Sequence, residues 1–374
     1  MYGGSTLLLW RASVIPDCEP NHGIKPTFQM TISIVPANLE SQSALIVETL
    51  RRCLTTRSDL ERFDWLYINC PYGRARAWLV FDNNRAAVVG VAAAFPRRIY
   101  VGERDVTAWV FGDFCLDKDY RCLGPALELQ KACLSVLDTE EYTFCYDFPS
   151  PNMAAVYKRI GFDVTARMLR LAKPLRVDRK IKEMTKNSAA RWLGITVGNT
   201  LLKIASPRGN AEESLELSLH TQVCGEEFTV LAQEQGAKFG ICLQRSAEYL
   251  NWRYIDNPLV RHEIVTARKN GRLVGYVVWT QAGDDAFIVD LFCEQDAAIV
   301  RCLVAEIVFL AQERDAMSVS VWIEKSHPWR SLFVEIGFRL RESTPMMIIP
   351  SKSFAYKING KPTGSYLMHG DRDS

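Results

Sequence analysis

The chain has 374 residues, of which 48% are hydrophobic and 24% charged, so it can bury more than one globular core. Its net charge of +2, without a long run of Lys or Arg, gives no electrostatic indication of a nucleic-acid partner. The eleven scattered cysteines show no metal-binding or redox spacing, which predicts reduced thiols in a cytoplasmic protein without a metal. No apolar run approaches the length of a membrane span, so no membrane insertion is expected.

The first regular pattern follows an N-terminal appendage, residues 1–29, that glycine and proline interrupt. The predicted elements are a strand, a helix, two hairpins, a helix, a strand, a short helix and a last strand, at 31–35, 40–54, 77–111, 124–138, 142–148, 152–160 and after Gly161. This order predicts an α/β fold, a mixed and mostly antiparallel twisted sheet flanked by helices.

Landmarks of this first unit recur in the same order in the second half of the chain. The pairs are Trp65–Ile68 with Trp252–Ile255, Val89-Gly90 with Val274-Gly275, and Gly161-Phe162 with Gly337-Phe338. Shared landmarks in one order predict a duplicated domain. The predicted organisation is an appendage, a first domain, a helical connector, a second domain and a polar tail, at 1–29, 30–173, 174–209, 210–349 and 350–374.

A candidate anion site lies where a strand of the first domain gives way to a helix. The segment Arg121-x-x-Gly124-x-Ala126 opens that helix, where unpaired backbone N–H groups and the helix dipole favour negative charge. Gly124 lets a phosphate approach the backbone closely, and Arg121 can add a charged donor. Such a turn can hold a pyrophosphate, although the same residues also suit an ordinary helix start with Pro125 in its first turn.

In this context the turn resembles the signature of the GNAT superfamily of N-acetyltransferases, Arg/Gln-x-x-Gly-x-Gly/Ala after the fourth strand. The resemblance covers about residues 30–172 and, more loosely, 210–349, and it implies two tandem GNAT-like domains. It also implies that the first domain binds the pyrophosphate of acetyl-CoA, or of another acyl-CoA, as cosubstrate. The cofactor-binding residues it implies are Leu116, Arg121, Cys122, Leu123, Gly124, Pro125, Ala126 and Asn152.

The segment from Asn152 to Phe162 resembles a second hallmark of the family. There the resemblance implies that Asn152 contacts the pantetheine arm and that Tyr157 protonates the departing thiolate. Backbone N–H groups near Leu116 would polarise the thioester carbonyl. A carboxylate must take the proton of the amine, and Asp113 and Asp147 are both candidates on strands beside the expected cleft. Each acid can instead be structural, and the tyrosine can be a packed core aromatic.

Two features depart from the family pattern, and the second copy departs further. Pro125 removes one N–H from the loop, and Asn152 lies five residues before Tyr157, where the family commonly leaves a slightly longer gap. In the second copy the equivalent region, 293–304, contains no glycine. That copy is therefore expected not to bind CoA, and to shape the substrate pocket or an interface.

These observations predict an acyl-CoA-dependent N-acyltransferase that transfers an acyl group to a small-molecule or polymer-linked amine by direct attack. Two alternatives stay open. A tandem GNAT-fold binding protein without catalysis is favoured by Pro125 and by the short spacing between Asn152 and Tyr157. A Fem-like transferase of aminoacyl groups also uses two such domains, but the near-neutral charge and the CoA-type loop count against it. The acceptor and the oligomeric state are not predicted.

Overall fold

The computed structural model describes residues 32–55, 57–139, 143–204, 215–357 and 364–372, so the predicted appendage lies outside the described residues. The strands are β1 (Ile32–Pro36), β2 (Arg76–Asp82), β3 (Ala87–Val101), β4 (Arg104–Leu116), β5 (Thr143–Asp147), β6 (Ala166–Pro174), β7 (Leu215–His220), β8 (Ile241–Leu243), β9 (Glu263–Lys269), β10 (Arg272–Ala282), β11 (Asp285–Cys293), β12 (Ser318–Glu324), β13 (Arg339–Pro350) and β14 (Ser365–Tyr366). The helices are α1 (Ser43–Cys53), α2 (Leu60–Phe63), α3 (Leu123–Leu134), α4 (Pro151–Ile160), α5 (Asp178–Met184), α6 (Ser188–Ile204), α7 (Glu226–Gly236), α8 (Ala247–Leu250), α9 (Ala297–Glu313), α10 (Arg330–Glu335) and α11 (Lys352–Lys357).

The mixed α/β fold expected from the sequence is confirmed, and the predicted order of elements is present in the first half. The predicted hairpins over 77–111 are formed by β2, β3 and β4, although the two middle runs are a single strand of 15 residues. Gly161 ends α4 with a φ of 105°, a left-handed conformation that glycine adopts without steric cost. The periodicity of the sequence therefore located these elements correctly.

The strands form one continuous sheet with the order β1-β2-β3-β4-β5-β13-β6-β12-β11-β10-β9-β7. Along this path neighbouring strands are antiparallel, except for the parallel pairs β4–β5 and β11–β12. Off the path, β8 joins β3 and β14 joins β8. The two halves of the sheet thus repeat one arrangement, an antiparallel meander that ends in a parallel strand.

The last strand of each half lies in the other half of the sheet. β6 ends the first half of the chain but pairs with β12, while β13 ends the second half but pairs with β5. In the middle of the sheet, β6 and β13 pair with each other. The predicted domains at 30–173 and 210–349 stay predictions. Strands from both of these ranges are hydrogen-bonded in one sheet.

The repeated tryptophans meet where the two halves contact each other. Trp65 and Trp252 lie in equivalent π-helical turns, Asp64–Ile68 and Asn251–Ile255. The indole N–H of each donates to the backbone carbonyl of the other at 2.8 Å, and the two rings stack with centroids 5.2 Å apart. The two landmarks therefore occupy the same kind of turn and contact each other reciprocally, as a duplication predicts.

Two helices occupy the predicted connector, as its sequence indicated. α5 and α6 flank the turn at Lys186 and Asn187, and α6 begins at Ser188. Asp178 anchors this pair of helices, since it accepts hydrogen bonds from Arg176 and from Asn199 of α6. Among the described residues, no helix is both long and apolar enough to cross a membrane.

The end of the chain is not the polar tail that the sequence suggested. Tyr366, Leu367 and Met368 are completely buried. Asp371 is also buried, where it shares the guanidinium of Arg245 with Asp290. Its carboxylate approaches that guanidinium to 3.2 Å, so the described end of the chain supplies part of the core and half of the charge that compensates a buried arginine.

We predict that Asp371→Ala lowers the free energy of unfolding by about 3–5 kcal/mol, because it leaves a buried guanidinium partly uncompensated. Urea denaturation of the purified chain measures this change. Glu40→Ala is the matched control, since Glu40 pairs with Arg74 at 2.7 Å on the exposed surface and should cost less than about 1 kcal/mol. Equal losses in the two variants would contradict the structural role of Asp371.

Candidate functional site

The pairing of β4 with β5 stops before the carboxyl end of β4, which leaves one edge of β4 open; we call this open edge the cleft. The two strands pair from Thr107 and Thr143 as far as Val110 and Tyr146. β5 then ends, whereas β4 continues to Leu116 with no described strand on that side. Ligands of α/β sheets commonly bind beyond the carboxyl ends of strands, so this is the expected place for a site.

Leu116 presents a backbone N–H to this open edge. The neighbouring Asp117 donates its N–H to Val89 of β3 at 2.7 Å. Successive residues of an antiparallel strand direct their N–H groups to opposite edges, so the N–H of Leu116 faces away from β3. The predicted donor for a thioester carbonyl is therefore placed at the cleft.

The start of α3 beside the cleft is open and carries no side-chain cap. Cys122 is the N-cap residue, in extended conformation, and its side chain makes no capping hydrogen bond. The N–H groups of Leu123 and Gly124 are in the first turn, where a helix supplies no acceptor. Apart from its chain neighbours and its own helix backbone, no atom lies within 4 Å of a Cβ built on Gly124, whereas Pro125 is buried. This geometry leaves room for an anion, and Ala126 completes the first turn, but anion binding stays a prediction.

The equivalent helix of the second half, α9, has a different start. Its N-cap is Asp296, whose carboxylate accepts the N–H of Ala298 at 2.8 Å. A carboxylate at this position both satisfies a free donor and repels another anion. The asymmetry between α3 and α9 agrees with the expectation that only the first half binds a phosphate.

Arg121 lies at the cleft, but its guanidinium is already engaged. Its Nε donates to the carbonyl of Leu116 at 2.9 Å, and its Nη2 donates to the carbonyl of Cys53 at 3.0 Å. These bonds tie the end of α1 to the end of β4. Arginine has five N–H donors, so the others remain for a ligand, and direct contact with a phosphate stays a prediction.

Tyr157 and Asp147, predicted separately from the sequence, form one hydrogen-bonded unit at the end of β5. The hydroxyl of Tyr157 donates to Asp147 at 2.7 Å and accepts from Gln130 of α3 at 3.1 Å. Burial raises the pKa of Asp147 to about 6, although the hydrogen bonds from Tyr157 and from the N–H of Phe148 oppose this rise. Burial also raises the pKa of Tyr157 well above its usual value. The tyrosine is completely buried, and its hydroxyl proton forms the hydrogen bond to the carboxylate of Asp147.

Gln130 is a site residue that the sequence analysis missed. It is buried on the face of α3 where Leu129 and Cys133 are also buried, and it reaches across to α4. A polar residue inside a buried helix stripe is unusual unless it has a partner, and that is the signal that could have found it.

Asp113 is structural in this geometry and does not meet Tyr157. It occupies a bulge of β4 with a φ of 50°, and its carboxylate is buried. Arg62 donates to both carboxylate oxygens, at 2.7 and 2.8 Å, and Tyr67 donates to one of them at 2.8 Å. Donors of the surrounding fold thus occupy both oxygens of Asp113, which gives it a structural role, and of the two predicted carboxylates Asp147 is the one hydrogen-bonded to Tyr157.

Asn152 lies on a different face of α4 from Tyr157. Five residues of α-helix turn the chain by about 140° beyond one full turn, and Asn152 is exposed while Tyr157 is buried. The residue seven positions before Tyr157, which shares its face, is Ser150, the N-cap of α4. A contact between Asn152 and a pantetheine arm stays a prediction that this spacing does not favour.

The second half contributes the exchanged strand β13, which pairs with β5 on the side away from β4. Met347 of β13 lies directly opposite Asp147 in the sheet. Met347 and Ile349 pack in the same cluster of buried side chains as Tyr157 and Leu129. Among the described residues, no group of three or more His, Cys, Asp or Glu is arranged to hold a metal ion.

Comparison with solved structures identifies the fold. A conserved Enterococcus faecalis V583 protein described as a probable N-acyltransferase has a TM-score of 0.62 and 13% identity, covering 85% of this chain and 72% of its own. A GCN5-related N-acetyltransferase from Anabaena variabilis has a TM-score of 0.61 and 14% identity, with the same coverage. The chain has the GNAT fold.

The GNAT fold of this chain is also similar to that of an N-myristoyltransferase. The N-myristoyltransferase of Saccharomyces cerevisiae, solved with bound myristoyl-CoA, has a TM-score of 0.56 and 10% identity, covering 87% of this chain and 84% of its own. No family model matches the sequence, and no curated protein matches it. The similarity is therefore one of structure, and residue roles have to be argued from the site itself.

We predict that Asp147 titrates near pH 6 in the folded protein, and that Tyr157→Phe moves this midpoint to higher pH. The reason is that the variant removes a hydrogen bond that favours the charged carboxylate. Carboxyl-carbon NMR of labelled aspartate measures the midpoint. Tyr67→Phe removes an equivalent bond from Asp113 and should leave Asp147 unchanged, whereas an ordinary midpoint near 4 would contradict the buried pair.

Proposed function

We propose that the chain is an acyl-CoA-dependent N-acyltransferase, with the acyl donor bound in the first half. The observation that carries the proposal is the open, uncapped start of α3 beside the unpaired edge of β4, within a GNAT fold. The N–H groups of Leu123 and Gly124 would receive the pyrophosphate, and the N–H of Leu116 would polarise the thioester carbonyl. Acetyl-CoA is the simplest donor, and a longer acyl chain is equally compatible with this part of the site.

The chemistry we propose passes through the pair formed by Asp147 and Tyr157. The amine of the acceptor attacks the thioester carbon and loses a proton to the carboxylate of Asp147. The carbon–sulfur bond breaks, and Tyr157 gives its proton to the departing thiolate. The proton on Asp147 then passes to the tyrosinate along their hydrogen bond, so each group returns to its starting state. In this scheme the tyrosine must turn its proton from Asp147 towards the sulfur during the reaction.

The second half of the chain would support this site without binding a cosubstrate of its own. Asp296 caps the helix that would have to receive the phosphates. Counted from the Gly-Phe landmarks, Phe333 takes the place of Tyr157 and offers no hydroxyl. We propose that the second half instead forms the wall of the cleft, through Met347, and part of the acceptor site.

A tandem GNAT-fold binding protein without catalysis is the second candidate. It is favoured by the complete burial of Tyr157, whose hydroxyl already has both a donor and an acceptor partner. This candidate predicts acyl-CoA binding without turnover on any amine. The two candidates are therefore separated by measuring binding and turnover independently.

We predict that acetyl-CoA binds with a stoichiometry of one per chain, and that Gly124→Glu abolishes the binding. A glutamate at this position would fill the open space at the start of α3 and repel the pyrophosphate. Isothermal titration calorimetry measures both results. Gly225→Glu, a change at the equally open start of α7, is the control and should bind like the parent. A second stoichiometric site, or binding that survives in Gly124→Glu, would refute the assignment.

We predict that Tyr157→Phe retains acyl-CoA affinity but loses turnover, by a factor on the order of tenfold to a thousandfold. The ring still packs, but the thiolate leaves without its proton. The pH profile of kcat/KM should rise through about pH 6 as Asp147 ionises, and in Tyr157→Phe this limb should move to higher pH. Asp147→Asn should lose the limb together with the activity.

These kinetics require an acceptor, which a screen of amines for CoA release can supply. Tyr67→Phe serves as the control, because Tyr67 is also a buried tyrosine that donates to a carboxylate. Parent-like turnover in Tyr157→Phe, with chemistry shown to be rate-limiting, would return the tyrosine to a purely structural role.

A further inference from the structure

The helical hairpin α5–α6, residues 178–204, presents an apolar face that nothing in the described structure covers. Along α6, the half-buried residues are those that pack towards α5, such as Gly194 against Ile181 and Gly198 against Val177. The rest of the circumference is exposed and carries Trp192, which is 69% exposed, along one edge. α6 has 17 residues and is about 25 Å long, so this face is a long stripe rather than an isolated side chain.

This exposed side of α6, which we call the apolar stripe, is mainly apolar and reaches from Trp192 to Leu201, about 180° further around the helix. Leu193, Val197 and Leu201 follow one another at spacings of four residues and are 57%, 49% and 61% exposed. Thr196 and Thr200 lie between them, and each donates its hydroxyl to a carbonyl of the preceding helical turn. These hydroxyl donors are therefore used within the helix, and no exposed residue from 188 to 202 is charged.

Positive charge is concentrated in the same hairpin. Residues 178–204 contain six Lys or Arg and two acids, a net charge of +4 against +2 for the whole chain. Of these two acids, Asp178 is buried and already paired with Arg176. Lys180, Lys182 and Lys186 are exposed, and none of them forms an ion pair with another described residue.

We propose that the α5–α6 hairpin is a docking surface for an anionic membrane, with the apolar stripe of α6 set into the lipid headgroup region. A helix with Trp and Leu on one side and Lys and Arg close by is the pattern that lies in a membrane interface. The helix lies on the bilayer and does not cross it. The segment expected from the sequence to be a connector would thus also bind a membrane surface, without insertion across the bilayer.

Charge distinguishes this partner from the other candidates. A second copy of the chain would bring two hairpins of charge +4 together, and their repulsion opposes such a dimer. An anionic bilayer matches both features at once, because it supplies negative headgroups and an apolar interior within a few ångströms of each other.

Vesicle flotation of the full chain tests the proposal. The chain should float with vesicles of phosphatidylcholine containing 30% phosphatidylserine, and it should float at least about tenfold less with phosphatidylcholine alone. Raising NaCl to about 500 mM should also weaken binding, because salt screens the lysines. The paired change Trp192→Ser and Leu193→Ser should reduce partition by about tenfold or more, as should Lys180→Glu combined with Lys182→Glu.

Leu340→Ser is the matched control, since Leu340 of β13 is 55% exposed outside the hairpin and should leave flotation unchanged. Leu201→Glu provides a second variant on the stripe, and unchanged circular dichroism shows that each variant is folded. The proposal is overturned by a parent chain that does not float, or by flotation that the stripe variants leave intact. It is also overturned if sedimentation shows a dimer that Trp192→Ser with Leu193→Ser dissociates, because a second copy would then cover the stripe.

Discussion

The exchange of the last strands between the two halves constrains the rest of this structure. β5 and β12 each expose a row of backbone hydrogen-bonding groups that a strand from the other half must satisfy. Neither half can complete its sheet alone, although each has its own meander and helices. The exchange also explains the connector, because the chain leaves β6 in the middle of the sheet and re-enters at β7 on its far edge. The candidate site shares this dependence, because Met347 of the exchanged strand β13 pairs with Asp147 of β5.

The duplicated halves retain the same framework but differ in chemistry. Both contain a buried aspartate in a bulged strand beside an arginine, Asp113 with Arg62 and Asp290 with Arg245. The pair occurs in both halves, whereas the open helix start occurs only in the first. The pair therefore suits a structural role. The features that differ are those at the helix start, where Asp296 caps α9 with its side chain and the corresponding residue Cys122 leaves α3 uncapped. What the two halves share therefore points to residues that support the sheet, and what differs points to candidates for ligand binding.

The sequence predicted the local elements well and the long-range pairings poorly. Landmarks such as Trp65 and Trp252 could be matched because both copies keep them in order, and the open start of α3 followed from a glycine at a helix start. The strand exchange was not predictable, since β6 and β13 have the same alternation whichever strand they join. The role of Asp113 depends on Arg62, 51 residues away, and no local pattern reveals that pairing. The burial of Tyr366 was also missed. A short apolar run between polar segments resembles an exposed tail unless its long-range contacts are known.

The coupling of Asp147 to Tyr157 limits how this site can work. A single hydrogen bond stabilises the charged carboxylate and at the same time holds the only proton that the tyrosine can donate. Breaking that bond to protonate a thiolate would raise the pKa of the carboxyl group at the moment when it holds, or is about to take, the proton of the amine. The two transfers would therefore assist each other, and the apparent pKa values of the reaction would belong to the pair. Gln130 gives the tyrosine hydroxyl a second partner, so the phenolate formed during turnover would keep a hydrogen bond until its proton returns.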